Sequence, residues 1–355
     1  MIVITGATGK LGQHVIASLL KTVPANTIIA AVRNPAKAAG LAAQGVQVRQ
    51  ADYNDGASLD AAFQGARKIL LISSSEVGQR AQQHQNVIDA ARRAGVALLA
   101  YTSVLRADTT PLGLAAEHVI TEAAIRASGL PFSFLRNGWY LENHTEHLAP
   151  VLEHGVVLGA AQDGRFSSAA RRDYAEAAAA VLTAAAPQAI YELAGDDSFS
   201  LSDYAAEVAR QSGKSIVYKD LPQADFKAAL VSVGVPEGFA ELLADSDAGA
   251  AKGGLEDNGR QLSALIKRPT TTLAEYAAEV ARQSGKVIVY KDLPQADFKA
   301  ALVGVGVPEG FADLLADSDA GAAKGALEDN GKQLSALIGR PTTRLADAVK
   351  AALAK

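Results

Sequence analysis

The run Thr5-Gly6-Ala7-Thr8-Gly9-Lys10-Leu11-Gly12 follows directly on the apolar stretch Ile2-Val3-Ile4, and no carboxylate occurs before Asp52. Three glycines spaced G-x-x-G-x-x-G between a strand and a helix make a phosphate cradle. Gly6 permits the sharp turn, Gly9 lets backbone approach a pyrophosphate, and Gly12 lets the helix lie close to the sheet. The N–H groups that open the helix then face the phosphate charge. The spacing departs from the commoner G-x-G-x-x-G, so the position between strand and helix carries the reading. Gly6, Ala7, Thr8, Gly9, Lys10 and Leu11 are the first candidate ligands of a dinucleotide.

The end of the second strand decides which dinucleotide. Sites for NAD place Asp or Glu there, on the ribose 2′-hydroxyl. Here the run is Val32-Arg33-Asn34-Pro35-Ala36-Lys37. A carboxylate would repel a 2′-phosphate, whereas Arg33 can hold one through two parallel hydrogen bonds. The expected cofactor is therefore NADP(H). Lys37 either assists or is a solvated helix charge. Asp52, at the end of the third strand, either meets adenine or caps a turn.

Alcohol–ketone chemistry on this scaffold commonly uses Tyr-x-x-x-Lys, the tyrosine giving a proton and the lysine lowering its pKa. None of the nine tyrosines has lysine four residues on. The helix where the pair belongs reads Leu114, His118, Glu122. His118 is a candidate catalytic group or, alternatively, a helix residue paired with Glu122 at i,i+4. An acceptor that takes hydride readily fits this set better. Its reduction needs mainly positioning and charge stabilisation.

These residues must be held by alternating elements. Strands are expected at Ile2–Ile4, Thr27–Val32, Val46–Gln50, Ile69–Ile72, Ala97–Thr102 and Phe132–Arg136, with amphipathic helices at Leu11–Leu20, around Asn86–Ala91 and at Ala115–Ala127. This is an α/β chain with a Rossmann-type doubly wound parallel sheet. Gly6 to Gly12, Arg33, Asp52, Ser73 to Ser75, Ser103 and Asn137-Gly138 all fall at carboxyl ends of strands, where such folds bind ligands. A smaller C-terminal α/β lobe follows, part of it duplicated.

Composition limits the alternatives. The chain has 355 residues, 49% hydrophobic and 20% charged, with net charge −4 and no cysteine. A general nucleic-acid surface is not expected, and disulfides and thiol chemistry are excluded. No apolar run reaches the length of a membrane span. Met1 leads straight into the first strand, which leaves no room for a signal peptide and suggests a cytoplasmic protein. His144-x-x-His147 with Glu146 has no third ligand in view and reads as a solvated helix face, so no metal is expected.

Residues 201–272 recur at 273–344 with nine differences. Two copies do not make a solenoid. The expected organisation is a cofactor domain at 1–150, with contributions from 151–200, a substrate lobe at 201–272, its tandem copy at 273–344 and a terminal helix at 345–355. Leu273 can close copy one and open copy two, because Leu345-Ala346-Asp347 follows the second copy as Leu273-Ala274-Glu275 follows the first. Either copy could cover the site, so a homodimer or a domain-swapped oligomer is possible.

With these residues in view, the chain resembles the NmrA-like, atypical short-chain dehydrogenases, on their quinone-reductase side, with triphenylmethane dye reductases as a more distant branch. The matching blocks are Gly6 to Gly12, Val32 to Lys37, Leu71-Ile-Ser-Ser-Ser-Glu-Val-Gly-Gln-Arg80, Leu135-Arg-Asn-Gly-Trp-Tyr140 and Ala244-Asp-Ser-Asp-Ala-Gly249. The resemblance implies cofactor contacts from the glycine loop, Arg33 and Ser73, Ser74 and Ser75. It extends them to Asn137, Gly138, Trp139, Tyr140, Leu141 and Glu142, and to Ser168, Ala169, Ala170, Arg171, Arg172 and Asp173. It implies NADPH-dependent two-electron reduction of a quinone, with dye or azo reduction also possible. The alternative in the same family is an NADP(H)-binding redox sensor without turnover. Within the quinone reading, Trp139 offers a flat stacking surface and Tyr140 a hydroxyl for the quinone oxygen; both also suit a structural junction. The second repeat is a departure from the family pattern.

Overall fold

The computed structural model describes residues 1–76, 78–145 and 148–283. Val77, Glu146, His147, positions 284–344 of the second copy and the terminal helix expected at 345–355 lie outside the described residues. The described chain forms two compact units. The larger gathers Met1–Leu148, Val157–Tyr204 and Tyr218–Tyr276; the smaller gathers 149–156, 205–217 and 277–283. Within the smaller unit, the Lys214 ammonium donates to the Leu152 carbonyl at 2.7 Å and Val217 N–H donates to the Gly155 carbonyl.

The elements of the first half run β1 (Ile2–Thr5), α1 (Lys10–Leu19), β2 (Ile28–Val32), α2 (Ala39–Ala43), β3 (Gln47–Gln50), α3 (Gly56–Phe63), β4 (Lys68–Leu71), α4 (Arg80–Arg93), β5 (Leu98–Val104), α5 (Ala115–Ala127) and β6 (Phe132–Asn137). Then come α6 (Leu141–Thr145), α7 (Leu148–His154), β7 (Val156–Gly159), α8 (Arg171–Thr183) and β8 (Ile190–Leu193). The remainder is α9 (Leu201–Ser212), β9 (Val217–Asp220), α10 (Gln223–Ser232), α11 (Glu237–Ala251), α12 (Gln261–Ile266) and α13 (Leu273–Gln283).

Seven strands form one sheet in the order β3-β2-β1-β4-β5-β6-β8, every pair parallel. Successive side chains point to opposite faces, and both faces are covered. Ile4, Ala30, Leu70, Ala100 and Leu135 pack with α1 and α8 on one face. Val3, Ile29, Leu71, Leu99, Tyr101 and Phe134 pack with α3, α4 and α5 on the other. The chain leaves β1 towards β2 and β3, then returns to place β4 on the other flank of β1. That reversal opens a crevice over the carboxyl ends of β1 and β4.

β8 goes beyond the six strands expected. It is four residues long with a half-exposed pattern, Ile190-Tyr-Glu-Leu193, too short for its alternation to stand out although Gly195-Asp196-Asp197 follows it as a turn. The first copy of the repeat contributes α10 and α11 to the larger unit. Asp245 and Asp247 of α11 accept from the N–H groups of Gly113 (2.7 Å) and Ala160 (2.9 Å), which ties this helix to the loops before α5 and after β7. Gly249 admits the Leu112 side chain, which would lie 2.4 Å from a Cβ at that position. The block Ala244 to Gly249 is thus a docking stripe inside the fold.

Candidate active site

The turn after β1 is tight. Gly6 adopts φ +58°, and a Cβ on Gly12 would sit 2.4 Å from the Gly6 carbonyl oxygen. α1 begins after Gly9 with no side-chain cap, so its opening N–H groups are offered outward as a cradle for an anion. Beneath the turn, buried Tyr53 hydrogen-bonds Thr5 Oγ1 and donates to the Ile72 carbonyl at 2.9 Å. Burial holds the Tyr53 phenol well above its ordinary pKa.

Arg33 extends from the end of β2, 69% exposed, and its Nη1 lies 3.0 Å from Glu76 Oε1. Asn34 receives the Ala36 N–H on its side chain and fixes the turn that carries Lys37, which is exposed. Asp52 has the geometry of a turn cap: its carboxylate accepts from Asn54 N–H at 2.9 Å.

Ser73 and Ser74 are pinned from behind. Ser73 N–H donates to Thr102 Oγ1 and Ser74 N–H to His84 Nε2, both at 2.9 Å. The imidazole must accept on Nε2, so its Nδ1–H donates to Thr121 Oγ1, 2.9 Å away. Burial and the Arg80 charge push the His84 pKa down to about 4. Sequence reasoning missed Tyr53, His84 and Thr102. His84 carried a signal: it is in phase with Val87, Ile88 and Ala91 on the buried stripe of α4. A polar residue in an apolar phase marks a buried hydrogen bond.

The loop after β6 is fixed at several points. Gly138 N–H donates to Leu193 O (2.7 Å), Leu141 N–H to Ala169 O (3.0 Å) and Ala169 N–H to Trp139 O (3.2 Å). Asn137, Gly138, Trp139 and Tyr140 are thereby brought beside Ser168, Ala169 and Ala170. Asn137 is buried; its Nδ2 lies 3.5 Å from the Tyr140 hydroxyl, and its Oδ1 has no hydrogen-bond partner. The guanidinium of Arg171 lies 5.0 Å over the Tyr140 ring. Burial raises the pKa of Tyr140, which stays a phenol at neutral pH.

Three expectations change. His118 does not pair with Glu122. It is buried against the Tyr101 hydroxyl at 2.7 Å, and its pKa is pushed down to about 3 by burial and by the Arg80 charge. Glu122 is taken instead by Arg136, Ser103 and Arg126. His118 is therefore an enclosed group held against Tyr101 rather than against Glu122. His144 is not on a solvated face: its ring packs against Phe166, Phe199 and Tyr204 and lies 3.2 Å from Ser168 Oγ. Asp173 is fully buried and engaged by Arg268 and Thr271, so its carboxylate serves the fold. Glu142 accepts the Arg171 N–H and caps α8, and Arg172 stands 4.0 Å from Glu176. Among the described residues no cluster of three metal-ligating side chains occurs, and no helix is long and apolar enough to cross a membrane.

A dinucleotide fits this arrangement on three counts: the uncapped start of α1, the tight glycine turn, and the orphaned buried oxygen of Asn137 across the crevice. Known proteins agree with the architecture. The chain is 60% identical over 276 residues to quinone oxidoreductase 2 of Escherichia coli K12, covering 78% of this chain and 96% of that protein. The crystal structure of the E. coli NADPH-dependent quinone oxidoreductase with NADPH superposes with a TM-score of 0.78 at 59% identity, over 79% of this chain and 99% of that one. The Citrobacter sp. triphenylmethane reductase complexed with NADP(H) gives 0.75 at 39% identity, over 79% and 100%. The model of the NmrA-like family matches residues 1–277, and the chain belongs to that family.

Proposed function

We propose that this protein is an NADPH-dependent quinone reductase that delivers two electrons in one step: quinone, NADPH and one proton give hydroquinone and NADP⁺. The observation that carries the reading is Arg33 at the end of β2, beside the uncapped N-terminus of α1, where an NAD site would hold a carboxylate. The 60% identity to a quinone oxidoreductase supports the acceptor.

NADPH, when bound, supplies the hydride. The chain's own residues bind and orient. Gly6 to Leu11 hold the pyrophosphate on the start of α1, and Arg33 holds the 2′-phosphate. Ser73, Ser74 and Ser75 line the nicotinamide side, the first two kept in place by Thr102 and His84. Asn137 meets a polar group of the bound pair, which satisfies its orphaned oxygen. Trp139 and Tyr140 border the quinone. Tyr140, a phenol at neutral pH, donates to the quinone oxygen as negative charge develops there. Ser168, Ala169, Ala170, Arg171 and Arg172 form the adjoining wall. His118, sealed against Tyr101, gives no acid of the tyrosine–lysine kind, which suits an acceptor whose reduced form is a weak base.

The likeness to the triphenylmethane reductase favours dyes as a second acceptor class. The deciding assay is NADPH oxidation with and without a simple benzoquinone. Quinone-dependent turnover is expected. Tight NADPH binding with no turnover on any quinone would replace the enzyme by a non-catalytic nucleotide sensor.

A further inference from the structure

The contact between Arg33 and Glu76 plays no part in the chemistry above. Arg33 follows β2, Glu76 follows β4, and β1 lies between those strands. The 3.0 Å pair therefore spans the flanks of the glycine turn. Glu76 is aimed there by buried structure. Its Oε2 accepts from Gln83 Nε2 at 2.7 Å, and Gln83 is only 2% exposed. Gln83 Nε2 also faces Asn54 Oδ1 at 3.4 Å, while its own Oε1 is buried without a hydrogen-bond partner. The amide is committed to the carboxylate at the cost of its own acceptor. Glu76 N–H donates to Ser74 Oγ, and Arg80 Nε holds the Ser74 carbonyl at 2.6 Å.

We propose that Glu76 is an internal competitor for the 2′-phosphate: a carboxylate placed on Arg33 that the phosphate must displace, and which sets the affinity for NADPH without setting that for NADH. The inference rests on reading Arg33 as the 2′-phosphate ligand. A guanidinium presents the same fork to a carboxylate and to a phosphate. The phosphate carries the larger charge and wins. Its binding is weakened by the pair that is lost and by repulsion from the displaced carboxylate. An exposed pair alone corresponds to a factor of roughly two to five, and repulsion adds to it.

The test is calorimetric titration of the full chain with NADPH and with NADH, in wild type, Glu76→Gln, Arg33→Ser and the double variant. Glutamine keeps an oxygen for Gln83 and removes only the charge. Glu76→Gln is expected to tighten NADPH about three- to tenfold, with NADH changed less than about twofold. In the Arg33→Ser background the gain is expected to shrink to the part due to repulsion alone. Unchanged or weaker NADPH binding in Glu76→Gln overturns the proposal. If Arg33→Ser weakens NADH as much as NADPH, the reading of Arg33 itself fails, which is a separate result.

Discussion

Asn137 holds its amide nitrogen 3.5 Å from the Tyr140 hydroxyl, while the oxygen of the same buried amide meets no partner. An orphaned buried acceptor costs stability, about 1–3 kcal/mol when it stays unmet. A fold keeps such a group where a ligand completes it. Asn137→Leu should therefore leave the thermal midpoint unchanged or raise it, while kcat/KM for quinone reduction drops at least about tenfold. Thermal unfolding and steady-state kinetics on one preparation check both halves. A variant that loses stability and keeps activity would place Asn137 in the scaffold.

Three buried histidines make stability depend on pH. His84, His118 and His144 have pKa values pushed down to about 4, 3 and 3 by burial. In the unfolded chain each titrates near 6.5. The folded state binds fewer protons, so this contribution is fully present above about pH 6.5 and is lost as pH falls towards the folded values. Asp247 works the other way. Its carboxyl is raised to about 7 by burial, so it favours the fold at low pH and ceases to do so as pH rises through 7. The histidines outnumber it, and urea unfolding should show the midpoint dropping between pH 6.5 and 5. Replacing His118 by Gln, an amide that can still meet Tyr101, should flatten that slope by about one proton. An unchanged slope would mean His118 is charged in the fold.

How much was legible in advance follows from where each signal lives. The glycine turn, Arg33 and six strands of the sheet are local: periodicity and turn chemistry within a few residues of each other specify them. β8 is not local, because four residues gain strand character only by pairing with β6. The same applies to the true partners of His118 and Glu122, which sit on the same helix at i,i+4 while His118 turns to Tyr101 of β5 and Glu122 to Ser103 of β5 and Arg136 of β6. Helical spacing shows who can meet along one helix; it does not show that Arg136, entering from the sheet, offers Glu122 two hydrogen bonds where His118 offers one. His144 looks solvated from sequence because its aromatic neighbours Phe166, Phe199 and Tyr204 are distant along the chain.

Arg136 and Glu122 form a deeply enclosed ion pair, 4% and 2% exposed, with Glu192 and Asp108 completing the cation's partners. The pair fixes the end of β6 immediately before Asn137. Removing one member of a buried pair leaves a charge uncompensated, at about 3–5 kcal/mol, whereas replacing both by apolar groups is far less costly. Arg136→Met, which takes two hydrogen bonds from buried Glu122, should lower stability by about 3 kcal/mol, and adding Glu122→Leu should recover part of that loss. Urea denaturation of the two singles and the double gives the coupling. Strictly additive effects would contradict an interdependent pair.

The end of the first repeat is held by its own anchors. Arg268 engages Asp173 and Glu176, Thr270 N–H and Oγ1 meet Asp196, and Thr271 N–H donates to Asp173 at 2.8 Å. Glu275 then accepts the Thr272 N–H at 3.0 Å and opens α13. Deleting residues 273–344 joins Thr272 to Leu345-Ala346-Asp347, which places a carboxylate three residues after Thr272, as Glu275 is now. Each anchor named above lies outside the deleted stretch except Glu275, and the family match ends at residue 277. The shortened protein is therefore expected to be soluble, with stability within about 1 kcal/mol of the full chain and NADPH affinity unchanged. Size-exclusion chromatography, thermal unfolding and an NADPH titration read this directly. Aggregation of the deletion variant, with the full chain soluble under the same conditions, would show that the second copy completes the fold.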